Sequence, residues 1–367
     1  MGPRTVVPTL PLLTVTLLIV SGTGGPAGAG TPVGTPTVDP WFDGPHGAAR
    51  PASPASVNNA TWNWTNFANV TPGYDIPARA YAGLAAYPPG NEVIAFGGAA
   101  ANGTALGDTW AFGPNWTWTP VSASTAPSAR VGPLMAYDAP ADAVILFGGR
   151  NGSGTLLRDT WSFSGGQWTL LRTGPPPPAR SNATLVPDAN GTGLILFGGN
   201  GSKGLLNDTW WFNETGGVPH WTNLTPTAGA PPPARYAAAC ANLSAPAEDV
   251  LYGGNSTLGE LADTWVFNGS VWRAVTTRSN PGVRAGAAMG FDQVDGVDVL
   301  FGGYSAKTGT IIGSTSVFNG SAWNVPNIGA VHPHPRVGGA MAWAGGFAGG
   351  IALLLGGTYG TGTALGG

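Results

Sequence analysis

Short apolar runs alternate with polar segments along the chain, and the alternation recurs with a period of about fifty residues. In each period an aliphatic run ends in Phe-Gly-Gly, an Asp-Thr-Trp-x-Phe segment follows, and another Trp comes after it. Glycine, proline, asparagine and aspartate fill the intervals, as is typical of tight turns between strands. Each period therefore predicts one antiparallel sheet with strands a to d. In the second period we expect them at residues 132–137, 143–147, 160–163 and 167–171.

Three positions define the repeat. The Phe-Gly-Gly motif starts at Phe96, Phe147, Phe197 and Phe301, with variants starting at Tyr252 and Leu355. The Asp-Thr-Trp motif contributes Asp108, Asp159, Asp208 and Asp263 together with Trp110, Trp161, Trp210 and Trp265. An arginine closely preceded by proline opens each repeat, at Arg79, Arg130, Arg180, Arg235, Arg284 and Arg336.

One such sheet cannot bury both of its apolar faces alone, so the repeats are expected to stack radially. The sequence thus predicts an all-β protein, a β-propeller of about six four-stranded antiparallel blades over residues 61–367. The sixth repeat supplies strands a and b only, which predicts an incomplete last blade, either open or truncated. Residues 61–65 resemble the strand d at 115–119, so we expect this N-terminal strand to close the ring as the outer strand of that blade.

Two features of the repeat carry further expectations. The glycine pair is expected to let strand b leave through left-handed angles and to let a neighbouring backbone come close. In blade 5, Ser314-Thr315-Ser316 replaces Asp-Thr-Trp, so poorer packing against a neighbouring blade is expected there.

The four elements in fixed order resemble kelch repeats of the galactose-oxidase-like β-propeller superfamily, across residues 61–367. This resemblance implies a propeller whose loops bind proteins or sugars, with enzymes in the minority. It also suggests an alternative, a carbohydrate-active or copper-radical oxidase-like enzyme, and such an oxidase needs a Cys cross-linked to Tyr, two His and another Tyr.

The residues offer little for that alternative chemistry. The inventory is Cys240, His46, His220, His332 and His334, and only His332 and His334 form a close pair, in a proline-rich loop. No phosphate loop, nucleophile elbow or Glu-flanked His helix is present. We therefore expect no metal site, no cofactor and no catalysis, and Cys240 is expected to be a small core residue.

The N-terminus indicates export. A basic start, an apolar run at 6–20 and small residues up to Ala29 predict a signal peptide over 1–29, followed by a flexible spacer over 30–60. Sixteen Asn-x-Ser/Thr acceptors, mostly in predicted turns, support an extracellular or cell-surface glycoprotein. An uncleaved N-terminal anchor and a membrane span at 339–357 are the alternatives.

The charged residues of the chain limit which binding partners are expected. A net charge of −3 provides no cationic surplus for phosphates, so nucleic acid is excluded as an expected partner. The six repeated arginines recur in every blade, which favours a buried structural role near the Asp of strand c. The non-repeating cations in the b–c and d–a loops are instead the candidate ligand-binding residues for a mildly anionic protein or glycan. They are Arg150, Arg158, Arg172, Lys203, Arg278 and Lys307.

Overall fold

The computed structural model describes residues 16–20, 62–66, 76–214, 217–244, 246–329, 332–345 and 350–359. These residues contain antiparallel sheets, a 3₁₀ turn at Pro88–Gly90 and no α-helix. None of their elements is a helix long and apolar enough to cross a membrane. The prediction of an all-β propeller is confirmed. Five blades consist of consecutive strands, and a sixth sheet combines strands from the two ends of the described chain.

The blade strands are numbered here in chain order. Those of the N-terminal region and blades 1 to 3 are β1 (Thr16–Val20), β2 (Asn63–Asn66), β3 (Gly83–Tyr87), β4 (Glu92–Phe96), β5 (Thr109–Phe112), β6 (Trp118–Val121), β7 (Leu134–Asp138), β8 (Ala143–Phe147), β9 (Thr160–Ser164), β10 (Gln167–Leu171), β11 (Thr184–Pro187), β12 (Leu194–Gly201), β13 (Gly204–Asn213) and β14 (His220–Asn223). Those of blades 4 to 6 are β15 (Ala239–Ser244), β16 (Ala247–Tyr252), β17 (Thr264–Phe267), β18 (Trp272–Val275), β19 (Ala288–Asp292), β20 (Val297–Phe301), β21 (Thr315–Phe318), β22 (Trp323–Asn324), β23 (Ala340–Ala344) and β24 (Ile351–Leu355).

Short two-residue strands extend the blades where strands b and c meet their connecting loop. Arg130–Val131 pairs with Arg150–Asn151, and Arg180–Ser181 pairs with the end of β12. Asn255–Ser256 pairs with Gly259–Glu260, and Tyr304–Ser305 pairs with Thr310–Ile311. The first two ladders extend the pairing of strands a and b, and the last two hold the b–c loops of blades 4 and 5 as hairpins.

In blade 2, the predicted strands b and d coincide with β8 and β10, and strand c is one residue longer than expected. Strand a begins at Leu134 instead of residue 132. The reason is that Gly132 takes a left-handed conformation, with φ of 63°, which a strand cannot contain. The pattern of apolar residues thus located strands well but did not reveal this turn.

The last blade has the strand order β2-β1-β24-β23. Its outer strand is β2, as expected for the segment at 61–65. At the position of strand c, where the sequence predicted a gap, the structure has β1. Thr16 pairs with Leu355 in the same register in which Thr109 pairs with Phe96 in blade 1. Residues 339–357, weighed as a membrane span, supply β23 and β24 of this blade. The other residues of the predicted signal peptide and spacer lie outside the described residues.

Aromatic side chains fill the space between neighbouring blades. The Trp of strand d packs against the aromatic end of strand b in the preceding blade, with ring centroids 4.8–5.4 Å apart. The indole Nε1 of the same Trp donates to the Thr hydroxyl of the preceding Asp-Thr-Trp position, at 2.9–3.3 Å. The longest of these bonds ends on Thr315 of blade 5, where the motif is degenerate. Each of these five interfaces therefore combines apolar burial with one satisfied buried N–H group.

The glycine pair brings blades into backbone contact. At Gly148 (φ 62°), an added Cβ would lie 2.7 Å from the carbonyl oxygen of Arg180 in the next blade, so a larger residue would force the blades apart. The neighbouring Gly149 donates its N–H to that carbonyl at 2.8 Å. The equivalent bond recurs between blades, and Gly357 closes the ring by donating to Arg79 at 3.0 Å. Repeated glycine thus sets the spacing of the blades.

A closed ring of backbone hydrogen bonds surrounds the propeller axis. The residue two positions after each repeated arginine has a positive φ and donates its N–H to its counterpart in the adjacent blade, at 2.7–3.3 Å. The six residues are Tyr81, Gly132, Asn182, Ala237, Gly286 and Gly338. Because each blade is both donor and acceptor, the ring connects the first blade to the last.

The Trp–Thr contact gives a test of what holds the blades together. Thr209→Val removes the acceptor for Trp272 Nε1 while it keeps the side-chain volume nearly constant. We expect a loss of about 1–3 kcal/mol in the free energy of unfolding, because a buried N–H loses its partner. Urea denaturation measures this, with Thr169→Val at an exposed strand position as the control. Equal midpoints for the two variants would contradict the assignment.

Candidate functional site at the loop end

The two ends of the propeller differ in their connections. In a meander a to d, the b–c and d–a connections share one end, called the loop end here, and the a–b and c–d turns share the other. The b–c hairpins and the starts of strands a and c therefore lie together at the loop end. Both the repeated arginines and the candidate cations belong to this end.

Each repeated arginine in blades 1 to 4 forms a two-pronged ion pair with the Asp of its own blade. Nη1 and Nη2 donate to the two carboxylate oxygens at 2.7–2.9 Å. Nη1 also donates to the carbonyl of the first glycine in Phe-Gly-Gly, at 2.8–3.1 Å. The arginines are at most 1% exposed, whereas the Asp side chains are 19–38% exposed. These guanidiniums are thus buried beneath carboxylates and occupied by them.

The Trp of the same motif completes the unit. Its Nε1 donates to the second carboxylate oxygen of the Asp at 2.6–2.7 Å. Burial by itself would raise the pKa of Asp108, Asp159 and Asp263, but the hydrogen bonds and the charge of the paired arginine lower it below its usual value. The carboxylates therefore stay ionised down to acidic pH and keep the arginines neutralised.

In blades 5 and 6, no described carboxylate pairs with the repeated arginine. Arg284, 3% exposed, donates through Nη2 to the carbonyl of Pro281 and to Ser314 Oγ at 3.4 Å. Arg336, 2% exposed, keeps its bonds to His334 O and Gly356 O, at 3.2 and 2.9 Å. Its Nη2 has no acceptor among the described residues. Burial without a counter-ion lowers the pKa of both guanidiniums, to about 10 for Arg336.

The six candidate cations are all exposed, and none forms an ion pair within the described part of the chain. Arg150 and Arg158 flank the b–c loop of blade 2, and Lys203 lies at the hairpin tip between β12 and β13. Lys307 lies in the b–c hairpin of blade 5, while Arg172 and Arg278 follow the outer strands β10 and β18. The structure therefore places them at one end, spread over four blades and not in one cluster.

Sequence reasoning missed Leu258, which is 97% exposed at the tip of the b–c hairpin of blade 4. Leu258 precedes Gly259 (φ 108°) as Lys203 precedes Gly204 (φ 121°), so the two side chains occupy equivalent hairpin tips. The neighbouring blade 5 carries Lys307. An apolar tip thus stands between two cationic ones. Reading the tip residues of the aligned repeats would have found it.

The propeller axis offers a small cavity of about 120 Å³, and the ring residues Tyr81 and Asn182 supply its polar side chains. Sequence reasoning missed this ring as well, although Gly or Asn two residues after most arginines was a usable signal. The repeated arginines do not line the cavity.

Among the described residues, no three His, Cys, Asp or Glu side chains are arranged to hold a metal ion. Cys240 is a free, partly buried thiol on β15.

Nine acidic residues lie in or beside the a–b turns at the end opposite the loop end. Several of them are buried. Asp138, Asp249, Asp292 and Asp298 are 0% exposed and Asp188 is 6% exposed. Only the remaining acids contribute surface charge at that end, so its negative charge is weaker than nine exposed acids would give.

One buried acid, Asp138, has no hydrogen-bond partner among the described residues, and the cause can be identified. Asp188 directly follows strand β11, and Asp292 is the last residue of β19; each accepts the backbone N–H of the residue two positions later, at 2.5 and 2.8 Å. Asp138 occupies the same position in blade 2, but two residues later stands Pro140, which has no N–H. Both oxygens of Asp138 are without a partner among the described residues. Burial, with help from the charges of Glu214 and Asp188, raises the pKa of Asp138 to about 7.

A ring of four-stranded blades, in which a buried arginine precedes the first strand of each blade, defines a β-propeller built from sequence repeats. The chain belongs to the Kelch-repeat family: the KLHDC2/KLHL20/DRC7 Kelch-repeats domain matches it over residues 115–289 and 163–357. The resemblance seen in the motifs is thereby confirmed. No curated protein matches the chain significantly. Kelch β-propellers are typically protein-binding modules.

Blade 5 provides a gain-of-stability test for the ion pair. Ser314→Asp supplies the carboxylate that Arg284 lacks, so we expect the free energy of unfolding to rise by about 1.5–3 kcal/mol. Guanidinium chloride denaturation measures the change, and Ser270→Asp at an exposed turn is the matched control. If Ser314→Asp stabilised no more than Ser270→Asp, the role assigned to these pairs would be wrong.

Asp138 predicts a pH dependence. Its pKa is about 7 in the fold against 3.8 for an ordinary Asp, so its contribution to stability is complete below pH 3.8 and lost as pH rises to about 7. Asp138→Asn should therefore resemble the unmodified protein at pH 4 and have a melting temperature several degrees higher at pH 8. Differential scanning calorimetry tests this, with Glu260→Gln at the loop end as the control. A difference independent of pH would refute the explanation.

Proposed function

We propose that this chain is an exported binding module, extracellular or on the cell surface, which docks an anionic protein on its loop end. Membership of the Kelch-repeat family supports a binding role, since propellers of this family are typically protein-binding modules. The proposal names the surface, the sign of the partner's charge and the compartment. No catalytic step is part of it.

The observation that carries the proposal is the set of six exposed, unpaired cations in loops that break the repeat. The other charged groups of this end are largely committed, because Asp108, Asp159, Asp208 and Asp263 each neutralise an arginine. The loop end of blades 2 to 5 therefore presents positive charge although the whole chain carries −3. Such a surface attracts anionic partners and speeds their association.

Leu258 favours a protein over a glycan as the partner. A leucine that is 97% exposed at a hairpin tip offers apolar contact area but no hydrogen bond to a sugar. With Lys203 and Lys307 on the adjacent blades, it suits a segment in which an apolar side chain is flanked by acidic groups. An acidic glycan would use the cations and leave Leu258 unused.

Export is supported by the N-terminal sequence and by acceptor sites at accessible positions. Asn102 and Asn115 are exposed in turns, whereas Asn213 is 3% exposed and unsuitable for a glycan. Removal of residues 1–29 would also remove β1, the third strand of blade 6. The proposed processing therefore changes the closure of the ring.

Neutralising the loop end tests the binding surface. The variant Arg150→Gln, Arg158→Gln, Arg172→Gln, Arg278→Gln should bind at least about tenfold more weakly, with a shallower salt dependence, because four partner contacts lose their charge. The probes are an array of acidic peptides with and without leucine and an array of sialylated, sulfated and neutral glycans. Leu258→Ser should weaken peptide binding and leave glycan binding unchanged.

The matched control is Arg273→Gln. Arg273 is also exposed, but it lies at the start of β18 at the opposite end and pairs with Glu248 at 3.1 Å. It should not alter binding. Unchanged binding by the fourfold variant, or a loss caused by Arg273→Gln, would place the site elsewhere.

Export gives its own prediction. Expression in a eukaryotic secretory host should yield secreted protein whose N-terminus lies near Gly30, with glycans on Asn102 and Asn115 and none on Asn213. N-terminal sequencing and glycopeptide mass spectrometry measure both. Retention of residues 1–29 on an unglycosylated product would contradict the proposed compartment while leaving the binding surface untested by this result.

A further inference from the structure

Four aspartates are fully buried near the a–b turns of blades 2, 4 and 5. They are Asp138, Asp249, Asp292 and Asp298, each 0% exposed. Both oxygens of Asp138 and Asp298, and one oxygen each of Asp249 and Asp292, have no hydrogen-bond partner among the described residues. An ionised carboxylate in such a place is far more costly than the protonated acid. The packing around these groups therefore suits their neutral form.

No cation compensates these carboxyl groups within the described part of the chain. The ion pairs found there join the repeated arginines of blades 1 to 4 to their own aspartates and Arg273 to Glu248. Of the Lys, Arg and His residues in the sequence, only Arg4, His46 and Arg50 lie outside the described ranges. Nearly every side chain that could neutralise the four aspartates is therefore accounted for, and none of those described does so.

The titratable neighbours of Asp138 and Asp292 are themselves acidic. Those near Asp138 are Glu214 and Asp188 of blade 3, together with Tyr137 beside it in the chain. The charged neighbour of Asp292 is Asp295, three residues later in the same turn. If either aspartate ionised, it would meet like charges instead of a cation.

Asp249 and Asp298 occupy the same position of strand b in adjacent blades, and each is close enough to influence the titration of Cys240. Asn242 Nδ2 donates to Asp249 Oδ1 at 2.9 Å. The other acids near Asp249 are Asp188 and Glu248. Arg273, which pairs with Glu248, is 57% exposed and forms no ion pair with either buried aspartate. Acidic groups thus follow one another from blade 2 to blade 5.

Two sets of aspartates have opposite pH dependences. Burial raises the pKa of the four buried groups, to about 7 for Asp138 and about 6 for Asp292. Their ordinary value is 3.8, so the stability that they supply is complete below pH 3.8 and is lost as the pH rises through the raised values.

The aspartates that pair with arginine behave in the reverse sense. The pKa of Asp108, Asp159 and Asp263 is lowered, so their contribution is present above pH 3.8 and is lost as the pH falls through the lowered values. The two sets together place the maximum of stability at about pH 4, below the usual range of about pH 5–8.

We propose that this propeller is adapted to an acidic medium, in which the buried carboxyl groups of blades 2, 4 and 5 are uncharged while the arginine–aspartate pairs of the loop end stay ionised. As the medium becomes neutral, ionisation of the buried groups favours opening of these blades from the a–b end, because only opening brings the carboxylates into water. The adaptation concerns stability, so it depends neither on the binding partner nor on the export proposed above.

The unmodified full chain provides the first test. Differential scanning calorimetry from about pH 3 to about pH 9, at constant ionic strength, should give the highest melting temperature near pH 4 and a value at least about 10 °C lower at pH 8. Infrared spectroscopy at pH 6 should still show the carbonyl stretch of protonated carboxyl groups, which ordinary aspartates and glutamates have lost by that pH. A melting temperature that is highest between pH 6 and pH 8, or the absence of that band, overturns the proposal.

A variant assigns the effect to the buried groups. Asp138→Asn, Asp249→Asn, Asp298→Asn together remove three of the four titratable groups while keeping their shape, so the melting temperature at pH 8 should come within a few degrees of that at pH 4. The matched control, Asp142→Asn with Glu260→Gln, removes two acids that are not buried and should keep the dependence of the unmodified protein.

The outcomes separate cleanly. A triple variant with the same pH profile as the unmodified protein, or a control that flattens the profile equally, would show that other groups cause it and would overturn the assignment. If the triple variant fails to fold, Asp298→Val takes its place, because blades 1 and 2 have valine at that position. It should reduce the difference in melting temperature between pH 4 and pH 8, and an unchanged difference counts against the proposal.

Discussion

The contact between each arginine backbone and the glycine pair of the preceding blade is the constraint on which the propeller depends. The arginine carbonyl accepts the N–H of the second glycine at 2.8–3.0 Å around the ring, and a Cβ on the first glycine would collide with it. This approach sets the distance at which Trp and Phe rings of adjacent blades fill the interface. The arginine side chain meanwhile binds the glycine carbonyl of its own blade. One residue thus organises two blades.

Because the core is repeated, the blades differ mainly in their loops and at positions where a repeat motif is lost. The b–c hairpins differ in the residue at their tip, with lysine in blade 3 and leucine in blade 4, although their backbones agree. Blades 5 and 6 retain the arginine and lose the aspartate, which leaves buried positive charge at the loop end. Both kinds of departure lie on the same end of the molecule, the end that we propose for recognition.

The opposite end shows how a single residue changes the electrostatics of a repeated position. Aspartate caps the a–b turn where an N–H follows two residues later, and it is isolated where Pro140 takes that place. Asp249 and Asp298 lie three residues before the aromatic end of strand b, where other blades have valine, leucine or alanine, and burial raises the pKa of both. Burial disfavours the ionised form of both carboxyl groups, because it removes them from water.

The sequence by itself determined the strand pattern of each blade, because strand length, turn residues and apolar alternation are local properties that recur in every repeat. It located β8 and β10 to the residue and identified β2 as the closing strand. Only the tertiary structure decided which acids are buried, that β1 fills blade 6, and that Nη2 of Arg336 has no acceptor among the described residues while Nη2 of the arginines in blades 1 to 4 has one. Those facts depend on which residues of different repeats meet across the ring. Such meetings are long-range contacts, and no local pattern encodes them.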